Sequence, residues 1–286
     1  MERVKQPTLW HISISHYSEK ARWALDYKGI PYKSHTPMPG AHIPVAQWLT
    51  RGRHYTVPVI EIDGERIGDS TAIIAALEKL QPEPALYPSS TAERQRALAL
   101  EEWFDEELGP YVRRLVFHEL LRDPERFAEL GAHTAPTAFR VMGPAGRRVM
   151  QAMIGRRYNA RSDEEAAKAL EKVQAGFDYL ETELGTGEYL VGGTFTVADL
   201  TAASLLYPLV LPPEAYVAIE RMPEPIEDLR MQLRERRGYQ WVEEMFHRHR
   251  AHLAADSQSS QTATVSAASS GDDPSGGKSR PANLTG

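Results

Sequence analysis

Four hydroxyls crowd one short stretch near the start of the chain: Ser13, Ser15, Tyr17 and Ser18, with His16 among them. The apolar residues Tyr17, Ala21, Ala24 and Leu25 then recur at helical spacing, so these hydroxyls sit where a helix begins. The start of a helix carries unpaired N–H groups and a partial positive charge, and hydroxyls beside it can help hold an anion. The simpler role for Ser15 is the N-cap of that helix. His16 has its own pair of readings, a base or a donor at the helix start.

A second helix start lies at Gly68-Asp69-Ser70, ahead of Ile73, Ile74 and Leu77. It too suits a carboxylate ligand, although Asp69 or Ser70 also caps a helix well. Between these two points stands Thr56-Val57-Pro58-Val59. An X-Pro bond can be cis for about 0.5–1 kcal/mol, far less than any other peptide bond, and the alternative is a trans proline opening an edge strand. The sequence has no cysteine, which excludes disulfides, Cys-based metal sites and a thiolate nucleophile of its own. Thiol chemistry here must use a thiol from elsewhere, and no metal is expected.

The elements that must position these residues fall into two kinds. Thr8 to Ile12 reads as a strand and leads through the hydroxyl loop into the first helix, which Gly29 stops; Pro31 to His35 returns as a second strand. After Pro39 and Gly40, a weakly helical stretch around Val45 to Leu49 leads to a strand over Val57 to Ile62. Asp63-Gly64 marks a hairpin into Arg66 and Ile67. The proline-rich stretch from Gln81 to Ser90 reads as a linker, and from Thr91 only helical periods remain. The expectation is α/β plus all-α: a first domain over residues 1–82, a linker over 83–90 and a helical domain over 91–253. The segment 254–286, rich in Ser, Ala, Gly and Thr, has too few large apolar groups to offset ordering entropy and is expected to be disordered.

At 286 residues, with 42% hydrophobic and 25% charged residues, the chain has the composition of a folded globular protein. A net charge of −6 gives no general attraction to nucleic acid. No apolar run approaches the length of a membrane span, and the opening Met-Glu-Arg-Val-Lys-Gln-Pro has no apolar signal core, so a cytoplasmic protein is expected.

The order of these elements and motifs resembles the glutathione S-transferase superfamily, with a thioredoxin-like N-terminal domain and a helical C-terminal domain. Three motifs carry the resemblance: Thr56-Val57-Pro58-Val59, Gly68-Asp69-Ser70-Thr71-Ala72-Ile73-Ile74, and Gly193-Thr194-Phe195-Thr196-Val197-Ala198-Asp199. The third is a capping-box variant, Thr196 with Asp199, opening an apolar helix through Leu200, Leu205 and Leu209; it is read as structural. The resemblance implies that Val57, before a cis Pro58, offers its backbone to the cysteinyl part of glutathione, that Ser70 holds the γ-glutamyl carboxylate and that Asp69 accepts from its ammonium. Matching Lys20-Ala21-Arg22 to the family's basic-x-Arg step places Ser15 at the thiol-activating position of the Ser-type, theta- and zeta-like members, with Ser13 and Tyr17 open as rivals. His42 resembles the residue that binds the glycine carboxylate in some classes, with Arg53 and His54 as alternatives.

The implied activity is conjugation of glutathione, or a related small thiol, to small apolar electrophiles by a homodimer; the alternative is a non-catalytic binding or scaffold protein on the same fold. In such a fold the electrophile sits against the first long helix after the linker, which carries Trp103, Phe104, Tyr111, Arg114, Phe117 and His118. Tyr111 and Arg114 are the expected pocket residues, each joining an apolar body to a polar head. The arginine-rich stretch Arg140 to Arg161, interrupted at Gly143-Pro144, reads as a solvated face or as a cover for that pocket; contact with an anionic membrane is not expected.

Overall fold

The structure is a computed structural model and describes residues 5–37 and 40–250. The turn at Pro39 and the tail expected after Leu253 lie outside the described residues.

Strand β1 (Thr8–Trp10), helix α1 (His16–Tyr27) and strand β2 (Lys33–His35) form a βαβ unit with β1 and β2 parallel. Helix α2 (His42–Thr50) leads to β3 (Val59–Ile62) and β4 (Glu65–Gly68), both antiparallel to their neighbours, giving the strand order β2-β1-β3-β4. Asp63 and Gly64 both take positive φ, 50° and 88°, as a two-residue hairpin turn between twisted strands requires. Helix α3 (Ser70–Leu80) closes this thioredoxin-like layer, burying Ile73, Ile74 and Leu77.

Residues 81–90 contain neither helix nor strand. Lys28, at the end of α1, fastens this stretch by donating to the carbonyls of Gln81 at 2.8 Å and Pro84 at 2.9 Å while pairing with Glu78 at 2.5 Å. From Thr91 the chain is helical: α4 (Thr91–Trp103), a π-helical turn (Phe104–Leu108), α5 (Gly109–Arg122), α6 (Pro124–Thr134), α7 (Pro136–Arg157), α8 (Asp163–Leu184), α9 (Val197–Val210), α10 (Glu224–Leu233) and α11 (Arg237–His249). Gly143 breaks the regularity of α7 with φ 63°, at the interruption expected from Gly143-Pro144.

Every residue of α9 is buried, as its apolar run implies. Its start is held by Asp199, whose carboxylate accepts from the Thr196 N–H, the Thr196 hydroxyl and the Leu190 N–H, each at 2.8 Å. Helix α1 is buried on more than one side. Trp23 stacks on Phe195 and meets Phe246 of α11, while Ala21, Ala24 and Leu25 have no exposure either. A helix so enclosed must find partners for its charges. Glu19 and Arg22 pair at 2.6 Å, and Lys20 reaches Glu101 at 2.8 Å and Asp105 at 2.5 Å. Arg250, 1% exposed, completes the set by donating to Glu19 at 3.0 Å and to Asp26. Among the described residues no helix is long and apolar enough to cross a membrane.

Candidate active site

The loop from Ile12 to Ser15 is pinned by its carbonyls. Arg22 donates to those of Ile12 at 3.3 Å and Ser13 at 2.9 Å, and Tyr207 of α9 donates its hydroxyl to that of Ile14 at 2.6 Å. Ser15 then caps α1, accepting from the Ser18 N–H at 3.3 Å. The cap uses a lone pair of the hydroxyl and leaves its proton free to donate. Ser15 lines a cavity of about 370 Å³, together with His16, Val57, Pro58, Asp69 and Ser70 from the sheet layer and Asp105, Arg113 and Tyr207 from the helices.

The other hydroxyls of the loop are placed differently. Tyr17 lines the cavity too, but its hydroxyl donates to the Asp105 carbonyl at 2.7 Å, and burial pushes its phenol pKa well up. Ser18 is fully buried and accepts from the Ile12 N–H at 3.3 Å. Ser13 does not line this cavity. His16 is 4% exposed and is held neutral by burial and by the nearby Arg113 charge, so it is no reservoir of positive charge.

On the opposite wall the Val57–Pro58 bond is cis, and no hydrogen bond joins the Val57 backbone to another described residue. Asp69 accepts from the N–H groups of Thr71 at 3.0 Å and Ala72 at 3.1 Å through Oδ1, leaving Oδ2 without a partner among the described residues. Ser70, 3% exposed, is the first residue of α3 and faces the same space. The capping and ligand readings of Asp69 are thus compatible. His54 also lines the cavity, its ring lying so close to Gly68 that a side chain there would stand 2.6 Å from its Cδ2. His42, at the start of α2, lines it too, its pKa lowered by burial and by Arg157. Arg53 turns away, donating to the carbonyls of Thr50 and Arg66.

Among the described residues lining this cavity, four buried side-chain atoms lack a hydrogen-bond partner: His16 Nε2, His42 Nδ1, Asp105 Oδ1 and Arg113 Nε. Buried polar groups are normally satisfied, so a cavity with four orphans suits a polar ligand with several donors and acceptors. Among the described residues no group of three or more His, Asp or Glu is placed to hold a metal ion.

Two family models match the chain: the glutathione S-transferase N-terminal domain over residues 9–85, and the glutathione S-transferase C-terminal domain over residues 163–235. The chain belongs to the glutathione S-transferase family. Its fold is that of the β-etherase LigF from Sphingobium sp. strain SYK-6, with a TM-score of 0.64 at 19% identity, covering 88% of this chain and 99% of that one. The glutathione transferase F7 of Populus trichocarpa aligns with a TM-score of 0.59 at 16% identity, over 88% of this chain and 98% of that one. A theta class glutathione S-transferase from Xanthomonas axonopodis pv. citri, solved with glutathione bound, aligns with a TM-score of 0.53 at 23% identity, over 82% and 95%. At these identities the likeness is one of fold. No curated protein sequence matches the chain.

Neither of the expected pocket residues lines this cavity. Tyr111 and Arg114 lie on the side of α5 that faces α8, outside the cavity; Arg114 pairs with Glu165 at 2.5 Å, and Tyr111 lies against Lys172. Pro110, Arg113, Val116, Phe117 and Leu120 take the cavity side instead. The expectation for Tyr111 and Arg114 rests on their amphipathic chemistry, which does not say which face of α5 meets the cavity; a π-helical turn over Phe104–Leu108 precedes that helix. Trp103 packs against Tyr179 with the rings tilted by 35°, and Phe104 is fully buried, so both are used in core packing. His118 is buried as well, its Nδ1 3.1 Å from the Ala160 carbonyl.

A second, larger cavity of about 790 Å³ adjoins the first, sharing Ile12, Ile14, His42, Phe117, Leu120, Leu130 and Tyr158. Helix α7 supplies Phe139, Met142, Val149, Met150, Met153 and Ile154 to its lining. The arginine-rich stretch is thus in part the cover of a pocket, the second of the two roles its sequence suggests.

Proposed function

We propose that this chain conjugates glutathione to small apolar electrophiles, with Ser15 as the residue that stabilises the bound thiolate. One observation carries the reading: Ser15, Val57, Pro58, Asp69, Ser70 and His42, far apart in sequence, line one cavity that opens onto a larger apolar one. The γ-glutamyl carboxylate would take Ser70 and the start of α3, its ammonium the free Oδ2 of Asp69, and the cysteinyl amide the backbone of Val57. His42 or His54 would meet the glycine carboxylate. The same reading divides the chain into a thiol-binding domain over residues 1–82, a linker over 83–90 and a helical domain over 91–253, and it goes with a cytoplasmic homodimer.

A free thiol with a pKa of about 8.5 is only a few per cent ionised at neutral pH. A hydroxyl donor at Ser15 and the N–H groups at the start of α1 both favour the thiolate. The thiol proton leaves to solvent; the thiolate then forms the C–S bond, and the leaving group departs with the electron pair of the broken bond. No metal or further cofactor enters these steps.

The test is a titration of the purified protein with glutathione, followed by thermal shift and by ultraviolet thiolate absorbance against pH. Saturating glutathione should raise the melting temperature, since ligand at 100 times its Kd adds about 2.7 kcal/mol, and the bound thiol should ionise at lower pH than the free one. A shift in melting temperature with an unchanged thiol titration would leave a binding protein in place of an enzyme. No response to glutathione at all would overturn the reading.

A further inference from the structure

Among the described residues that line the cavity beside Ser15, Arg113 is a cation with no carboxylate in ion-pair distance, although Asp69, Asp105 and Glu106 line the same space. Arg113 lines it from α5, its guanidinium 4.6 Å from the Tyr158 ring centroid and 5.4 Å from that of Tyr17. Its Nε is buried without a hydrogen-bond partner, and among the described residues no carboxylate lies within ion-pair distance of it. The contrast with its neighbours is direct. Arg114 pairs with Glu165, Arg122 with Asp163 and Arg126 with Glu129. Asp105, which lines the same cavity, is engaged by Lys20, and Glu106 is exposed at its edge.

The adjoining cavity is the more cationic of the two. Its lining includes Arg156 and Arg157 and no Asp or Glu among the described residues, and the Arg157 guanidinium lies 5.7 Å from the Tyr158 ring centroid. An unpaired guanidinium offers a planar fork of donors that matches a carboxylate or sulfonate, and a site that excludes water strengthens that attraction. The walls beyond are apolar and aromatic: Phe117, Phe127, Leu130, Phe139, Met150 and Ile154.

We infer that the electrophilic substrate is an organic acid, an aromatic or long apolar body bearing a carboxylate or sulfonate that Arg113 receives at the junction of the two cavities. This rests on the transferase reading for the chemistry, but the anion site stands on its own residues. The Tyr17 ring next to Arg113 is two residues from Ser15, so the acid group sits on the thiol side of the molecule while the apolar body fills the larger cavity. The acid group is bound, not transformed.

Two fluorescent probes of matched shape test this without turnover: anilinonaphthalene sulfonate, and N-phenylnaphthylamine, which has the same rings and no charge. The wild-type protein should bind the sulfonate about tenfold more tightly than the neutral probe, a difference of about 1.4 kcal/mol. Arg113→Met should remove that preference while leaving the neutral probe's affinity within twofold, and Arg113→Lys should keep part of it. Glutathione affinity, measured in parallel by calorimetry, should be the same in all three proteins. Equal affinity of the wild type for both probes overturns the inference, as does an equal loss for both probes in Arg113→Met. A selective loss of glutathione binding in Arg113→Met would assign the arginine to the thiol's own carboxylate and overturn it as well. Absence of glutathione binding in the wild type, with the sulfonate preference intact, would sink the transferase reading and leave the anion site standing.

Discussion

The Tyr17 hydroxyl donates to the Asp105 carbonyl at 2.7 Å, tying the first turn of α1 to the π-helical turn before α5. Gly109, at the start of α5, has no room for a side chain because the Tyr17 hydroxyl occupies that space. A phenol committed to this bond has no proton left for a sulfur, whereas Ser15, which only accepts from the Ser18 N–H, does.

Ser15→Ala is therefore expected to raise the apparent pKa of bound glutathione by about one unit, the equivalent of about 1.4 kcal/mol for a hydrogen bond to a charged acceptor. Tyr17→Phe should leave that titration unmoved and lower stability by about 1 kcal/mol. Thiolate absorbance against pH in the two variants separates them. A shift in Tyr17→Phe and none in Ser15→Ala would reverse the assignment.

Asp69 both caps α3 and presents a free carboxylate oxygen to the cavity. Asp69→Asn keeps a side-chain oxygen for the cap but removes the charge offered to the γ-glutamyl ammonium. Glutathione affinity should fall about tenfold with the melting temperature nearly unchanged. If calorimetry finds the affinity intact, the residue is a cap and nothing more.

Acid should weaken the fold early. Burial, then the Arg22 charge, holds His11 well below its usual pKa of 6.5; burial, then Arg113, does the same to His16. Below pH 6.5 the unfolded chain binds protons that the folded chain refuses, so stability is lost as the pH falls from there towards the folded values. Each histidine contributes a slope of up to about 1.4 kcal/mol per pH unit. Urea unfolding at a series of pH values should show this dependence, and His16→Gln should flatten it; an identical slope in the variant would exclude His16 as a cause.

Arg250, the last described residue, is buried against α1 and paired there with Glu19 and Asp26. Arg250→Ala removes a buried cation that faces both carboxylates, with Glu19 keeping Arg22, and a loss of about 3 kcal/mol is expected in denaturant unfolding. Truncation after Leu253 should cost almost nothing, because the segment beyond has little apolar surface to bury. A truncated protein that melts several degrees lower would show that the segment docks.

What the sequence determined by itself is local: the Asp63-Gly64 hairpin, the Asp69 cap on α3, the Asp199 brace on α9, the end of α1 at Gly29, and the order of elements that carries the family resemblance. Each depends on residues within a turn or two of one another, where turn chemistry, capping and periodicity act directly. Ser15 was legible as one of several hydroxyls; what sets their surroundings apart, Tyr207 on the Ile14 carbonyl, Arg22 on those of Ile12 and Ser13, and Asp105 on Tyr17, comes from distant parts of the chain. A lone tyrosine in the apolar run of α9 was the one signal in sequence for the first of these. Only the tertiary structure decided that Arg113, and not Arg114, faces the cavity. Arg113 and Arg114 are chemically alike, so side-chain type cannot separate them; the azimuth of α5 is set by its packing against α8, where Arg114 finds Glu165 and Tyr111 lies against Lys172.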